Sequence, residues 1–151
     1  MSTQVFLSAS PDETVRIGEA FAREYLAAGV VVALRGELGA GKTHFVKGIA
    51  RALGIPEREL TSPTFSLAHE FDDCELNGEP FTLYHLDAYR FERPSELLEL
   101  GVEDFLYPKH AATIIEWPER VGPLLPTRRL VEVLITATSE SERRITIDRL
   151  P

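Results

Sequence analysis

A single cysteine, Cys74, stands in a chain of 151 residues. That excludes a disulfide within the chain, and with it the stapled architecture of small secreted domains. No apolar run approaches the ~20 residues that a membrane-spanning helix needs. The opening MSTQVFLSAS lacks the basic start and apolar stretch of a secretory signal. A reduced, cytoplasmic protein without membrane association is therefore expected. Basic residues are also few: 16 Lys and Arg against 24 Asp and Glu leave a formal net charge of −8. Direct binding to nucleic acid rests on a basic surface that neutralises phosphates, so the balance argues against an independent RNA or DNA binder. It favours long-range attraction to a basic protein partner instead. The histidines, His44, His69, His85 and His110, have no metal-ligand spacing with cysteine or with each other, and read as structural or surface residues. Internal repeats, low-complexity segments and long linkers are absent as well, so residues 1–151 are expected to form one domain.

What is present is punctuated clearly. Gln4 to Ser8 reads as a first strand. Ser10, Pro11 and Glu13 form a capping box with proline at the first helical position. Ile17, Phe21 and Tyr25 then recur on one helix face, and Gly29 ends the segment. Val30 to Arg35 is apolar and β-branched, as in a strand buried on both faces. Lys42 to Leu53 reads as a helix stopped by Gly54 and Pro56. TSPTF is a loop. Phe65 to Phe71 and Phe81 to Leu86 read as strands joined across Asn77-Gly78, a strong hairpin signal. Pro94 to Leu100 is a short helix stopped by Gly101, and Ala112 to Ile115 is an apolar strand ending at Glu116. Leu130 to Ala137 and Arg144 to Ile147 form a terminal antiparallel hairpin.

Gly36-x-x-x-x-Gly41-Lys42-Thr43 satisfies the P-loop, or Walker A, pattern. By chance the four fixed positions coincide in roughly one chain of this length in two hundred. Glycines let consecutive N–H groups turn inward around an anion, and the following helix aims its positive end at the same point. Glu37, Leu38, Gly39, Ala40 and Gly41 supply that backbone. Lys42 reaches the β- and γ-phosphates, and the Thr43 hydroxyl is placed to ligate Mg²⁺. Such a site also needs an acid at the end of an apolar strand, and there are two candidates: Asp87 in TLYHLD and Glu116 in ATIIE. Spacing does not assign which one touches the metal. The hydroxyls of Thr61, Ser62 and Thr64 lie in a loop that in nucleotide switches can sense the γ-phosphate, although on local sequence alone an ordinary Ser/Thr/Pro turn explains them better. Trp117 alone reads as packing.

GELGAGKT, SPTFSL, YHLDAYR, ELLELGVEDFL and IIEWPE occur in this order over nearly the whole chain. In this the sequence resembles the TsaE (formerly YjeE) family of bacterial P-loop ATPases. The resemblance implies a role in making N6-threonylcarbamoyladenosine in tRNA, with hydrolysis of ATP resetting a complex of the proteins TsaD and TsaB. It implies that tRNA is met only indirectly, through that complex. Carried over by motif, Lys42 and Thr43 take the phosphate and Mg²⁺ roles, Glu116 is a metal-associated residue, and Asp87 supports the metal or the attacking water. Thr64 becomes the switch-loop threonine and Trp117 a functional candidate. Thr14, in DETVRIGEAFA, corresponds to a nucleotide-contacting segment. One departure is His44, where the family usually has Thr or Ser. The α-phosphate contact then falls to an imidazole N–H or to backbone.

The expected architecture is a P-loop α/β fold. A mixed central sheet is flanked by helices and closed by a C-terminal antiparallel hairpin. The expected reaction is slow, Mg-dependent attack of water on ATP. No arginine finger is obvious, so the missing cation comes from a partner or from Arg90 in cis. Two rivals stand beside it. A small-molecule or nucleoside kinase of the same fold would need an acceptor pocket and an arginine-rich lid, neither of which is evident. A nucleotide-gated binding module would keep ATP-dependent partner binding without hydrolysis.

Overall fold

The computed structural model describes residues 2–60, 68–99, 101 and 103–151. Seven strands form one mixed sheet: β1 (Ser2–Ser8), β2 (Val31–Arg35), β3 (Ala68–Leu76), β4 (Glu79–Asp87), β5 (Ala112–Glu116), β6 (Leu130–Ala137) and β7 (Arg143–Arg149). Their order is β1-β7-β6-β2-β5-β4-β3. The four central strands β6, β2, β5 and β4 run parallel. The β6–β7, β7–β1 and β3–β4 pairs are antiparallel. Parallel neighbours need a crossover, and the helices supply it.

The two long helices, α1 (Pro11–Tyr25) and α2 (Lys42–Leu53), cover one face. Phe21, Tyr25, Phe45, Ile49 and Leu53 pack there against Val32, Leu34, Ile114, Val133 and Ile135. α1 starts as its sequence predicts. The Ser10 hydroxyl accepts from Glu13 N–H, and the Glu13 carboxylate reaches back to Ala9 N–H. The opposite face carries Val31, Ala33, Leu86 and Ile115 under Phe91, Leu97, Leu106 and Val121. These come from the short helices α4 (Pro94–Glu99) and α5 (Glu103–Leu106), from the turn before α4, and from the 3-10 turn that follows β5.

Several boundaries differ from the sequence reading. β3 runs on to Leu76, because a bulge between Phe71 and Cys74 shifts its register. The shift leaves Asp72 and Asp73 exposed and turns Cys74 and Leu76 into the core. The expected strand start at Phe65 lies outside the described residues, as does the TSPTF loop with Thr61, Ser62 and Thr64. α3 (Glu57–Leu60) and α5 were not anticipated, being single turns without periodicity. No helix among the described residues is long and apolar enough to cross a membrane.

Candidate functional site

The central strands set the site. β2 ends at Arg35 and the chain turns through residues 36–41 into α2. Gly39 and Gly41 have φ of 79° and 113°, left-handed values that a side chain would disfavour. Among the described residues no side chain caps α2, and Gly41, Lys42, Thr43 and His44 at its start line a cavity of about 600 Å³. The uncapped N–H groups and the helix dipole make that end an anion site. Lys42 is only 7% exposed, and its ammonium has no hydrogen-bond partner among the described residues. It lies 3.8 Å from the centroid of the Trp117 ring. An orphaned buried cation beside a glycine turn is the arrangement that a phosphate group satisfies.

The two acidic candidates are brought together. Asp87 and Glu116 are register partners at the ends of the adjacent parallel strands β4 and β5, and both line the cavity. The exposed Asp87 accepts from Tyr89 N–H at 3.0 Å, which fixes the turn after β4. Glu116 is more enclosed and sits 2.6 Å from His85 Nε2. Burial alone would raise the Glu116 carboxyl. The His85 hydrogen bond and charge, with the Lys42 charge, outweigh it and hold the group below the usual carboxylate range. An ionised carboxylate only accepts, so the imidazole N–H donates. Thr43, Asp87 and Glu116 thus offer hard oxygen donors beside the anion site. That set fits Mg²⁺, which is commonly held by one or two carboxylates plus substrate phosphates.

The remaining candidates separate. Thr14 is buried on the first turn of α1 and lines the cavity with Ala9, Ser10 and Pro11. Its hydroxyl lies 2.7 Å from that of Ser8. Trp117 follows β5 with a left-handed backbone (φ 58°), and its ring packs on Tyr89. Leu38 and Gly39 line both the cavity and a groove on the other side of the loop, whereas Glu37 and Ala40 line only the groove. Arg90 is exposed beyond β4 and is not part of the cavity wall. Thr64 lies outside the described residues. Two residues on the site were missed by the sequence reading. His85, read as structural, is the partner of Glu116, and the only available hint was its position two before Asp87 on one strand face. Arg143 lines the cavity from the start of β7, and nothing in the local sequence announces it.

A parallel strand leading through a glycine turn into an uncapped helix, beside two acidic strand ends, defines the P-loop nucleotide-binding class of α/β proteins. The comparisons with known proteins narrow the class. A family model described as "Threonylcarbamoyl adenosine biosynthesis protein TsaE" matches residues 8–145, and the chain belongs to the TsaE family. The tRNA threonylcarbamoyladenosine biosynthesis protein TsaE of Bacillus subtilis is 39% identical over 91% of the chain and 80% of its own length. That of Treponema pallidum is 39% identical over 93% of the chain and 97% of its own length. A crystal structure of Bacillus subtilis YdiB superposes with a TM-score of 0.78 at 29% identity, covering 99% of this chain and 87% of that one.

Proposed function

We propose that this chain is the ATP-hydrolysing component of the tRNA threonylcarbamoyladenosine machinery, and that its turnover resets a complex of TsaB and TsaD. The observation that carries the reading is the buried Lys42 ammonium, without a hydrogen-bond partner among the described residues, at a cavity that also holds both acidic strand ends. ATP enters with its phosphates against Gly39–His44, and Lys42 meets the β- and γ-phosphates. Thr43 and Glu116 would hold Mg²⁺, which would neutralise charge on the phosphate oxygens. Asp87, more exposed, orients the water that attacks the γ-phosphorus. The bond to the bridging oxygen breaks, and ADP, inorganic phosphate and a proton leave. The catalysis is positioning and charge stabilisation. His85 keeps Glu116 ionised and aimed. With Arg90 outside the cavity wall, turnover by the chain alone is slow, and a partner supplies what is missing.

The test is an ATPase assay of the pure chain with and without a TsaB–TsaD pair, with Lys42→Ala as control. Turnover is expected to rise by an order of magnitude or more with the pair, in line with the ~10³–10⁵ that a supplied arginine can contribute. Lys42→Ala is expected to abolish tight ATP binding by calorimetry. Full activity without partners defeats the gating, and unchanged affinity in Lys42→Ala defeats the nucleotide site. Transfer of labelled phosphate to anything but water points to a kinase.

A further inference from the structure

A P-loop turns its N–H groups toward an anion only by pointing carbonyls the other way, and those carbonyls need donors of their own. Two of them are met by one side chain from the far end of the chain. Arg143 Nε donates to Ala40 O at 2.9 Å, and Nη2 donates to Gly39 O at 3.4 Å. The remaining nitrogen, Nη1, donates to Ser139 O at 3.0 Å and to Glu142 O at 2.9 Å. One guanidinium therefore ties the glycine turn to the tip of the β6–β7 hairpin. The tip is ordered in turn by the Ser139 hydroxyl, which accepts from the N–H groups of Ser141 and Glu142.

Two features make this more than a structural tie. All four acceptors are neutral backbone oxygens, so no carboxylate in these contacts cancels the charge. In a chain of net charge −8, that places a cation on a cavity wall to which the same hairpin tip also brings Glu140. The side chain also lies against Gly41, whose absent Cβ would stand 4.0 Å from Arg143 Cγ and Nε. Gly41 holds a left-handed φ at the cap of α2. A rigid fork with several donors spans two successive carbonyls, whereas a lysine ammonium is a point charge on a flexible stem.

We propose that Arg143 is a positioning residue of the nucleotide site. It holds the 39–41 turn in its phosphate-binding shape and adds positive charge beside it, which makes the hairpin tip part of the nucleotide apparatus. The proposal rests on the nucleotide reading above, and the test separates the two. ATP and ADP affinities of Arg143→Gln, Arg143→Lys and Lys42→Ala are measured by calorimetry. Amide exchange across residues 38–42 and thermal unfolding are recorded without nucleotide. Loss of the charged hydrogen bonds is expected to weaken both nucleotides roughly 10–100-fold in Arg143→Gln. Arg143→Lys is expected to recover only part of this, with faster exchange in the loop and little change in melting temperature. Unchanged affinity in Arg143→Gln, while Lys42→Ala loses binding, overturns the proposal and leaves the nucleotide site standing. So does full recovery by lysine, or weakened affinity that only follows a fall in melting temperature with loop exchange unchanged. Unchanged affinity in Lys42→Ala as well means that the nucleotide reading itself has failed.

Discussion

Burying an ammonium without a hydrogen-bond partner is costly, and Lys42 has none among the described residues. The Trp117 ring offsets part of the cost, since a desolvated cation–π contact contributes about 2 kcal/mol. A non-glycine residue held at φ 58° costs ~1–3 kcal/mol of its own, and here that backbone aims the indole at the lysine. Once phosphates are bound the ring matters less, because the ammonium then has anionic partners. Trp117→Leu is therefore expected to lower the stability of the nucleotide-free protein by ~1–2 kcal/mol, and to lower that of the ATP-bound protein by less. By linkage, ATP then binds the variant at least as tightly as the parent. Thermal unfolding with and without ATP checks this, and equal losses in both states contradict it. Trp117 is the only tryptophan, so its emission is expected to change as ATP is titrated into the parent protein.

At the scale of elements, the cavity depends on how closely α1 approaches α2. One wall comes from the start of α1 and the phosphate end from the start of α2. The helices cross at Gly18 and Gly48. A Cβ at Gly48 collides with Val15 O, and one at Gly18 collides with Phe45 O. Backbone lies against backbone, and neither side can yield cheaply. Gly48→Ala is expected to destabilise by about 3 kcal/mol, at the upper end of overpacking penalties. That corresponds to a fall of roughly 6–12 °C in melting temperature at this size. A fall of under 2 °C contradicts the crossing as described. Helix and turn ends were legible because their signals are local: Ser10, Pro11 and Glu13, then Gly54, then Asn77-Gly78. The crossing glycines were not, since their meaning depends on a backbone some thirty residues away. β3 was cut short at Phe71 because Asp72 and Asp73 break the alternation, and only the bulge reconciles them with a strand. In the site, Lys42, Thr43, Asp87 and Glu116 were readable as motif or strand end. The pairing of His85 with Glu116, and of Arg143 with the loop, arises from register and from the return of the last hairpin, which no local window contains.

At the scale of the molecule, the sheet order brings the chain's beginning and end to one cavity: Ser10 and Thr14 on one side, Arg143 on another, Asp87 and Glu116 at the acidic strand ends. The site is a property of the whole fold, and so is its charge. Arg35 is paired with Glu119 and Glu132, Arg23 with Glu19, and Lys47 with Glu57. Arg120, Arg129 and Arg143 donate to backbone carbonyls. Several of these cations are cancelled by neighbouring acids, and a net charge of −8 opposes the counterion release on which phosphate-backbone binding rests. That balance argues against tRNA being held by this chain alone. The chain by itself is expected to leave tRNA unshifted in a gel assay at about 0.15 M salt, below the ~10⁻⁴–10⁻⁶ M affinities typical of non-specific binders. Retention of tRNA is expected to follow the TsaB–TsaD pair and to be insensitive to Lys42→Ala. A micromolar complex between the chain alone and tRNA, weakening steeply as salt rises, would instead require a basic surface formed by these scattered residues. It would move this protein from a nucleotide-driven component of the machinery to one that handles the RNA directly.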